Sequence, residues 1–269
     1  MRRTLLTGAT GTLGRALRPR LREAGRSVRA ASRSPPADTD GDWVELDLTT
    51  GDGVEAAMEG VDVVVHAATA PTGDSAAVDV AGTERLLAAA AEADVSNFVY
   101  VSIVGVDEIP LSYYRHKLDA ERAVESSEVP ATVLRATQFH EFVDDVLAAV
   151  SRLPVWPLPT RLRVQPLAVG EAADAVVEHA TPEASGRVAP VGGPEVRTLG
   201  ELARSYRETR GLRRPIVRLP IPGRVAAGFR AGEATCPDRA VGTVTWEEWL
   251  AARHGTDTAT EVPSTGASP

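Results

Sequence analysis

Two groups of residues in this chain have types and spacing that can do chemistry. Tyr113 and Lys117 stand four apart, hence on one face of a helix with their side chains in reach of each other. An ammonium beside a phenol favours the phenolate and draws its pKa toward working pH, so Tyr113 can pass a proton while a hydride moves to or from a nicotinamide. Lys117 can also bond ribose hydroxyls, and it is the only lysine among 29 basic residues. Tyr114 is adjacent, so either phenol is a candidate to face the nicotinamide. The second group is Thr7-Gly8-Ala9-Thr10-Gly11-Thr12-Leu13-Gly14. Its glycines let backbone turn sharply and approach a ligand. The helix expected after them offers bare N–H groups and a partial positive charge to a pyrophosphate. Gly8, Thr10, Gly11, Thr12, Leu13 and Gly14 are the expected pyrophosphate contacts, with Arg15 a further phosphate contact.

Other residues fall where a dinucleotide would extend. The position about 20 residues beyond the glycines holds an acid when NAD is bound, and here it is Ser32-Arg33. Arg33 suits a 2′-phosphate through paired N–H bonds, with the Ser32 hydroxyl beside it, so NADP(H) is expected in preference to NAD. Asp47 is placed to accept from the adenine amino group, with Leu48 packing beside the ring. His66-Ala67-Ala68 ends another strand. There the His66 backbone matters more than its ring, and the two alanines permit close approach to ribose. Ser102 closes a fifth strand. Gln138, Phe139 and His140 follow a sixth and would line the substrate side. No metal ligand is assigned.

The elements that must position these residues follow from periodicity. Apolar, often β-branched runs predict strands at 4–7, 27–31, 43–46, 61–66, 98–102 and 131–135. Helical spacing predicts helices over 13–24, 53–58, 78–93 and 113–127, the last with Ser112 as N-cap. Six strands alternating with helices imply a doubly wound α/β fold, a parallel sheet whose ligand crevice lies beyond the strand C-termini. Residues 1–152 form the dinucleotide-binding core. Residues 153–254 form a substrate-side lobe partly interleaved with it, with helices over 171–179, 198–210 and 246–253, and a strand over 187–191 that can return to the main sheet. Residues 255–269, rich in Thr, Ser, Gly and Pro, read as a disordered tail.

Composition narrows the class. A net charge of −8 with no basic stripe argues against nucleic acid. No apolar run approaches the ~18 residues of a membrane span, so a cytoplasmic protein acting on a small molecule is expected. The lone Cys236 excludes an internal disulfide and reads as a packed or incidental thiol.

Together, Thr7–Gly14, Asp47-Leu48, His66–Ala68, Val80-Ala-Gly-Thr83, Tyr100–Gly105 and Tyr113-Tyr-Arg-His-Lys117 resemble the short-chain dehydrogenase/reductase superfamily, and within it the NmrA-like atypical group. Leu134–His140, Gly192-Gly-Pro-Glu195 and Trp246-Glu-Glu-Trp249 are similar to that group's C-terminal half. The resemblance implies a Rossmann fold in which a serine orients a carbonyl, a tyrosine transfers the proton and a lysine holds the cofactor. Tyr113 and Lys117 match that pattern. Ser102 stands one or two places before the family's serine, where this chain has Ile103 and Val104, and Asp79 stands where the family often has asparagine. The group holds both quinone- or aldehyde-reducing enzymes and non-catalytic redox sensors that act through a protein partner. Reductase and sensor are therefore both implied, with a nucleotide-sugar epimerase as a third reading.

Overall fold

The computed structural model describes residues 3–37 and 41–255; Arg2 and the expected tail from residue 256 lie outside them. In chain order the first half runs β1 (Arg3–Thr7), α1 (Thr12–Glu23), β2 (Ser27–Ser32), β3 (Asp42–Glu45), α2 (Val54–Met58), β4 (Val63–His66), a π-helical turn (Ala76–Ala81), α3 (Gly82–Glu92), β5 (Asn97–Ile103), α4 (Ser112–Ser126), β6 (Ala131–Ala136) and α5 (His140–Ser151). The second half adds β7 (Trp156–Leu158), β8 (Arg163–Val164), α6 (Val169–His179), β9 (Gly186–Arg187), β10 (Arg197–Thr198), α7 (Leu199–Thr209), β11 (Ile216–Arg218), α8 (Arg224–Ala231), a 3₁₀ turn (Pro237–Arg239) and α9 (Trp246–His254).

Seven strands form one parallel sheet in the order β3-β2-β1-β4-β5-β6-β9. The strand order reverses between β1 and β4, where Thr7 pairs with His66, so the crevice of this Rossmann fold opens beyond those two strand ends. Both faces are covered. Phe98 and Tyr100 of β5 pack with α3 and α4, while Val99 points to the opposite layer with α1 and α6. The alternation follows from the two-residue period of a strand. On α1, Leu13, Leu17 and Leu21 recur every four residues and form its buried stripe. Beyond the sheet, Trp156, Tyr206, Trp246 and Leu250 make a separate core between α5, α7 and α9.

Two expectations are corrected. The helix expected over 78–93 begins as a π turn, because Asp79 is drawn inward and its carboxylate takes the Thr69 hydroxyl and the Ala70 N–H. Such widened turns recur at functional sites. Ser112 is not an N-cap: Leu111 holds that position, packed among Val106, Ile109 and Tyr114, and no side chain caps α4. As expected from the run over 187–191, the main sheet gains a further strand beyond the six of the core. Its seventh, Gly186–Arg187, joins β6 and is followed by a bridge between Ala136 and Val191. No described helix is long and apolar enough to cross a membrane.

Candidate active site

The mouth of α1 is open. Gly11 is its N-cap, no side chain caps it, and Gly11 and Thr12 are exposed. Gly8 adopts φ +66°, and a Cβ there would lie 2.7 Å from the Ala68 nitrogen and 2.8 Å from the Ala67 carbonyl. The glycine turn thus presses directly on the end of β4. At Gly14 a Cβ would come within 2.1 Å of the Gly8 oxygen, so the first turn of α1 can pack on the loop only without a side chain. The cradle leaves uncapped N–H groups beside the crevice, which is the donor set a pyrophosphate needs.

Around this mouth the remaining sequence candidates are arranged unevenly. Ser32 ends β2 with its hydroxyl 3.4 Å from that of Thr10. Arg33 and Arg15 are exposed, and among the described residues Arg33 has no hydrogen-bond or ion-pair partner, only Coulombic reach to Asp47. The Asp47 carboxylate is occupied by the Thr49 hydroxyl and, at 2.8 Å, the Thr49 N–H. Those bonds hold its pKa below the usual carboxylate value. Leu48 lies in the core under Gly82 of α3. His66 is buried, with Nδ1 2.7 Å from the Thr7 hydroxyl and Nε2 3.0 Å from that of Thr83. Burial, and then the Lys117 charge, lower it to about 3, so the ring is a neutral strut between β1 and α3.

Tyr113 sits in a row of polar groups. Its hydroxyl is 2.7 Å from Thr69 Oγ1, and Thr69 donates its own hydrogen to Asp79 Oδ1 at 2.6 Å. A carboxylate only accepts, so the phenol is the donor to Thr69. Lys117 Nζ lies 3.7 Å from the same Asp79 oxygen, donates to the Val101 carbonyl at 2.9 Å and stands 4.2 Å above the Tyr100 ring. Burial lowers Lys117 to about 8, against the raising effect of Asp79. The lowering of the phenol expected from Lys117 does not appear in this arrangement. Tyr113 is raised above its ordinary value by burial and by the Asp79 charge, offset in part by the Thr69 bond. The ammonium is matched to Asp79, so its field does not reach the phenol as an unbalanced charge.

Ser102 is 2% exposed, on the face of β5 shared with Tyr100, and its hydroxyl has no partner among the described residues. Tyr114 turns away from Thr69 into the cluster of Val106, Ile109 and Phe229. Burial pushes it up to about 12, with the Gln138 carboxamide offsetting part of the effect. His140 does not line the crevice. It is buried, stacked 5.6 Å from both Trp246 and Trp249, with Nε2 against the Val244 carbonyl at 3.1 Å. Thr69 is the contact that sequence reading passed over. Its signal is modest: a hydroxyl placed directly after the close-approach residues Ala67 and Ala68.

Known proteins agree with this geometry at the level of family and fold. A family model described as NAD(P)H-binding matches residues 8–146. The (4-alkanoyl-5-oxo-2,5-dihydrofuran-3-yl)methyl phosphate reductase of Streptomyces griseus is 36% identical over 141 residues, half of this chain and 47% of that protein. A 3 beta-hydroxysteroid dehydrogenase/Delta 5→4-isomerase of Mycobacterium tuberculosis is 36% identical over 115 residues, 37% of this chain and 31% of that one. The chain spans 12 to 47% of the length of the curated relatives it matches. Among solved structures, an NADPH-dependent quinone oxidoreductase of Escherichia coli in complex with NADPH superposes with a TM-score of 0.78 at 18% identity, over 93% of this chain and 99% of that one. A nucleoside-diphosphate-sugar epimerase of Staphylococcus aureus gives 0.75 at 17%, over the same shares. At such identities the likeness is one of fold. The family match takes in the glycine turn, the crevice and the Tyr113–Lys117 helix together, and the chain belongs to the NAD(P)H-binding family of Rossmann-fold proteins.

Proposed function

We propose that this protein is an NADPH-dependent reductase of a small carbonyl or quinone compound, of the NmrA-like atypical short-chain type. The observation that carries the reading is the row in which hydrogen bonds join Tyr113, Thr69 and Asp79 and an ion pair joins Asp79 to Lys117. A nicotinamide, when bound, supplies hydride. Tyr113 supplies the proton to the substrate oxygen. As the phenolate forms, Thr69 can turn its hydrogen from Asp79 to the phenolate, which leaves Asp79 with the Ala70 N–H and the Lys117 ammonium. Arg33, exposed at the end of β2 and without a partner among the described residues, would hold a 2′-phosphate, and this favours NADPH over NADH. The first turn of α1 would hold the pyrophosphate.

The test is NADPH oxidation with a panel of small quinones and aldehydes, run beside a titration of NADPH, NADP, NADH and NAD. Tyr113→Phe should lower kcat at least about 100-fold with NADPH binding unchanged. Arg33→Ala should weaken NADPH by roughly 10- to 100-fold and leave NADH untouched. Equal binding of all four nucleotides by the wild type removes the 2′-phosphate assignment. The raised phenol and the matched Lys117 charge favour one second reading, a non-catalytic redox sensor. Tight binding that separates NADPH from NADP, with no turnover on any substrate, supports the sensor and ends the reductase reading.

A further inference from the structure

The second half of the chain contains a concavity of about 490 Å³, between the Pro159–Leu162 turn after β7 and the Arg218–Pro222 stretch that leads into α8. Two kinds of side chain meet there. Leu219 and Ile221 are large apolar groups left 45% and 41% exposed on the wall of the concavity. Arg161, Arg218 and Arg230 surround them. Arg230 donates to the Ile221 carbonyl at 2.9 Å and so ties α8 to the wall. Arg161 and Arg218 have no hydrogen-bond or ion-pair partner among the described residues, although acids outnumber bases by 37 to 29 in the chain. Three like charges around one hollow repel each other, and an anion relieves that repulsion. The walls are held from both sides: Leu219 N–H donates to the Leu158 carbonyl at 2.8 Å, and Gly200 N–H to the Thr160 carbonyl at 3.1 Å. The shape is thus largely preformed, and few groups need ordering when a ligand arrives.

We propose that this groove binds a soluble amphipathic anion, with a phosphate or carboxylate head between Arg161, Arg218 and Arg230 and an aliphatic arm along Leu162, Leu219 and Ile221. Both halves of the ligand are needed. A bare phosphate leaves the apolar wall wet, and a neutral alkane leaves the arginines unmatched. The groove shares no residue with the nucleotide cleft, so it stands or falls apart from the reductase reading. Its tie to α4 runs through α8, where Phe229 packs on Tyr114 with ring centroids 6.2 Å apart, one residue before Arg230.

The experiment is calorimetric titration of the full chain with octyl phosphate, 1-octanol and inorganic phosphate, in the presence of saturating NADPH. Octyl phosphate should bind at one site at least tenfold tighter than either comparator. R161A/R218A should lose at least tenfold, and R161K/R218K should recover part of it. Both arginines are exposed and have no partner among the described residues, so an unchanged melting temperature is expected and will show that the variants are folded. The proposal is overturned if octyl phosphate binds no tighter than octanol or phosphate. It is equally overturned if the double alanine variant binds as the wild type does, or if only phosphatidylglycerol vesicles, and not the soluble ligand, are retained.

Discussion

Tyr113 and Lys117 were legible from spacing alone, but their partners were not, because a pair four apart on a helix says nothing of what the fold brings to it from elsewhere. Thr69 comes from the loop after β4 and Asp79 from the π turn, 44 and 34 residues before Tyr113. After burial, the charge that acts on both Tyr113 and Lys117 is that of Asp79. It raises Tyr113 and, by attraction, holds Lys117 up against the lowering effect of burial. The sign of its removal follows. Asp79→Asn takes away the attraction and leaves the burial, so Lys117 falls below its value of about 8 and loses its proton at lower pH. If the reductase reading holds, the wild-type kcat/KM should decline as pH rises through about 8, and in Asp79→Asn that limb should move toward acid. A limb that stays where it was in the variant separates Lys117 from Asp79 and removes the pair from the mechanism. Thr69→Val should lower kcat by roughly 10-fold or more, with NADPH affinity kept, and Thr69→Ser should restore it. Loss of binding instead of rate would make Thr69 a packing residue.

Elements were read well wherever an apolar run was long and buried on both faces, as in β4 and β5, and poorly where the chain is short or irregular. Strands β8, β9 and β10 have two residues each, too few to display any period, and the π turn has no sequence signature apart from an acid on an otherwise apolar face. His66 shows how a polar residue becomes part of an element. In a strand whose every residue is buried, its ring joins β1 to α3 through Thr7 and Thr83 and carries no charge. A histidine that is lowered on folding contributes stability that is complete above its unfolded value near 6.5 and is lost as pH falls toward the folded value of about 3. Between pH 7 and 4.5 the cost should be about 3 kcal/mol, from two pH units at 1.36 kcal/mol each. Urea unfolding at the two pH values measures it. His66→Gln should be less stable at pH 7 but should lose little more on acidification; an equally steep loss in the variant assigns the acid sensitivity to other groups.

At the scale of the whole molecule, the doubly wound order was legible because alternating strand and helix periods allow few topologies, whereas the way the second half is fastened to the first was not. That fastening is polar as well as apolar. Glu121 of α4, with none of its surface exposed, takes the Arg135 guanidinium of β6 through two bonds of 2.9 and 2.7 Å and the Arg187 guanidinium of β9 at 3.1 Å. Asn97 at the start of β5 donates to the carbonyls of His179, which ends α6, and of Thr181 just beyond it, and Arg20 of α1 meets Asp174 of α6 at 2.6 Å. Long-range side chains matched across separate elements carry no local pattern, so the sequence shows each arginine only as one among many. With these ties crossing between the halves, the chain should unfold as one unit. Three of its four tryptophans, Trp156, Trp246 and Trp249, report on the second half, while far-UV circular dichroism reports on all the helices. The two signals should therefore change together on heating. Glu121→Ala removes the centre of the tie and leaves Arg135 with Asp107 alone. It should cost about 3 kcal/mol, which for a chain of this size lowers the melting temperature by roughly 6–12 °C. Both signals should shift by the same amount. If tryptophan fluorescence moves ahead of the dichroism in the wild type, the second half opens on its own and the Glu121 cluster does not bind the two halves into one cooperative structure.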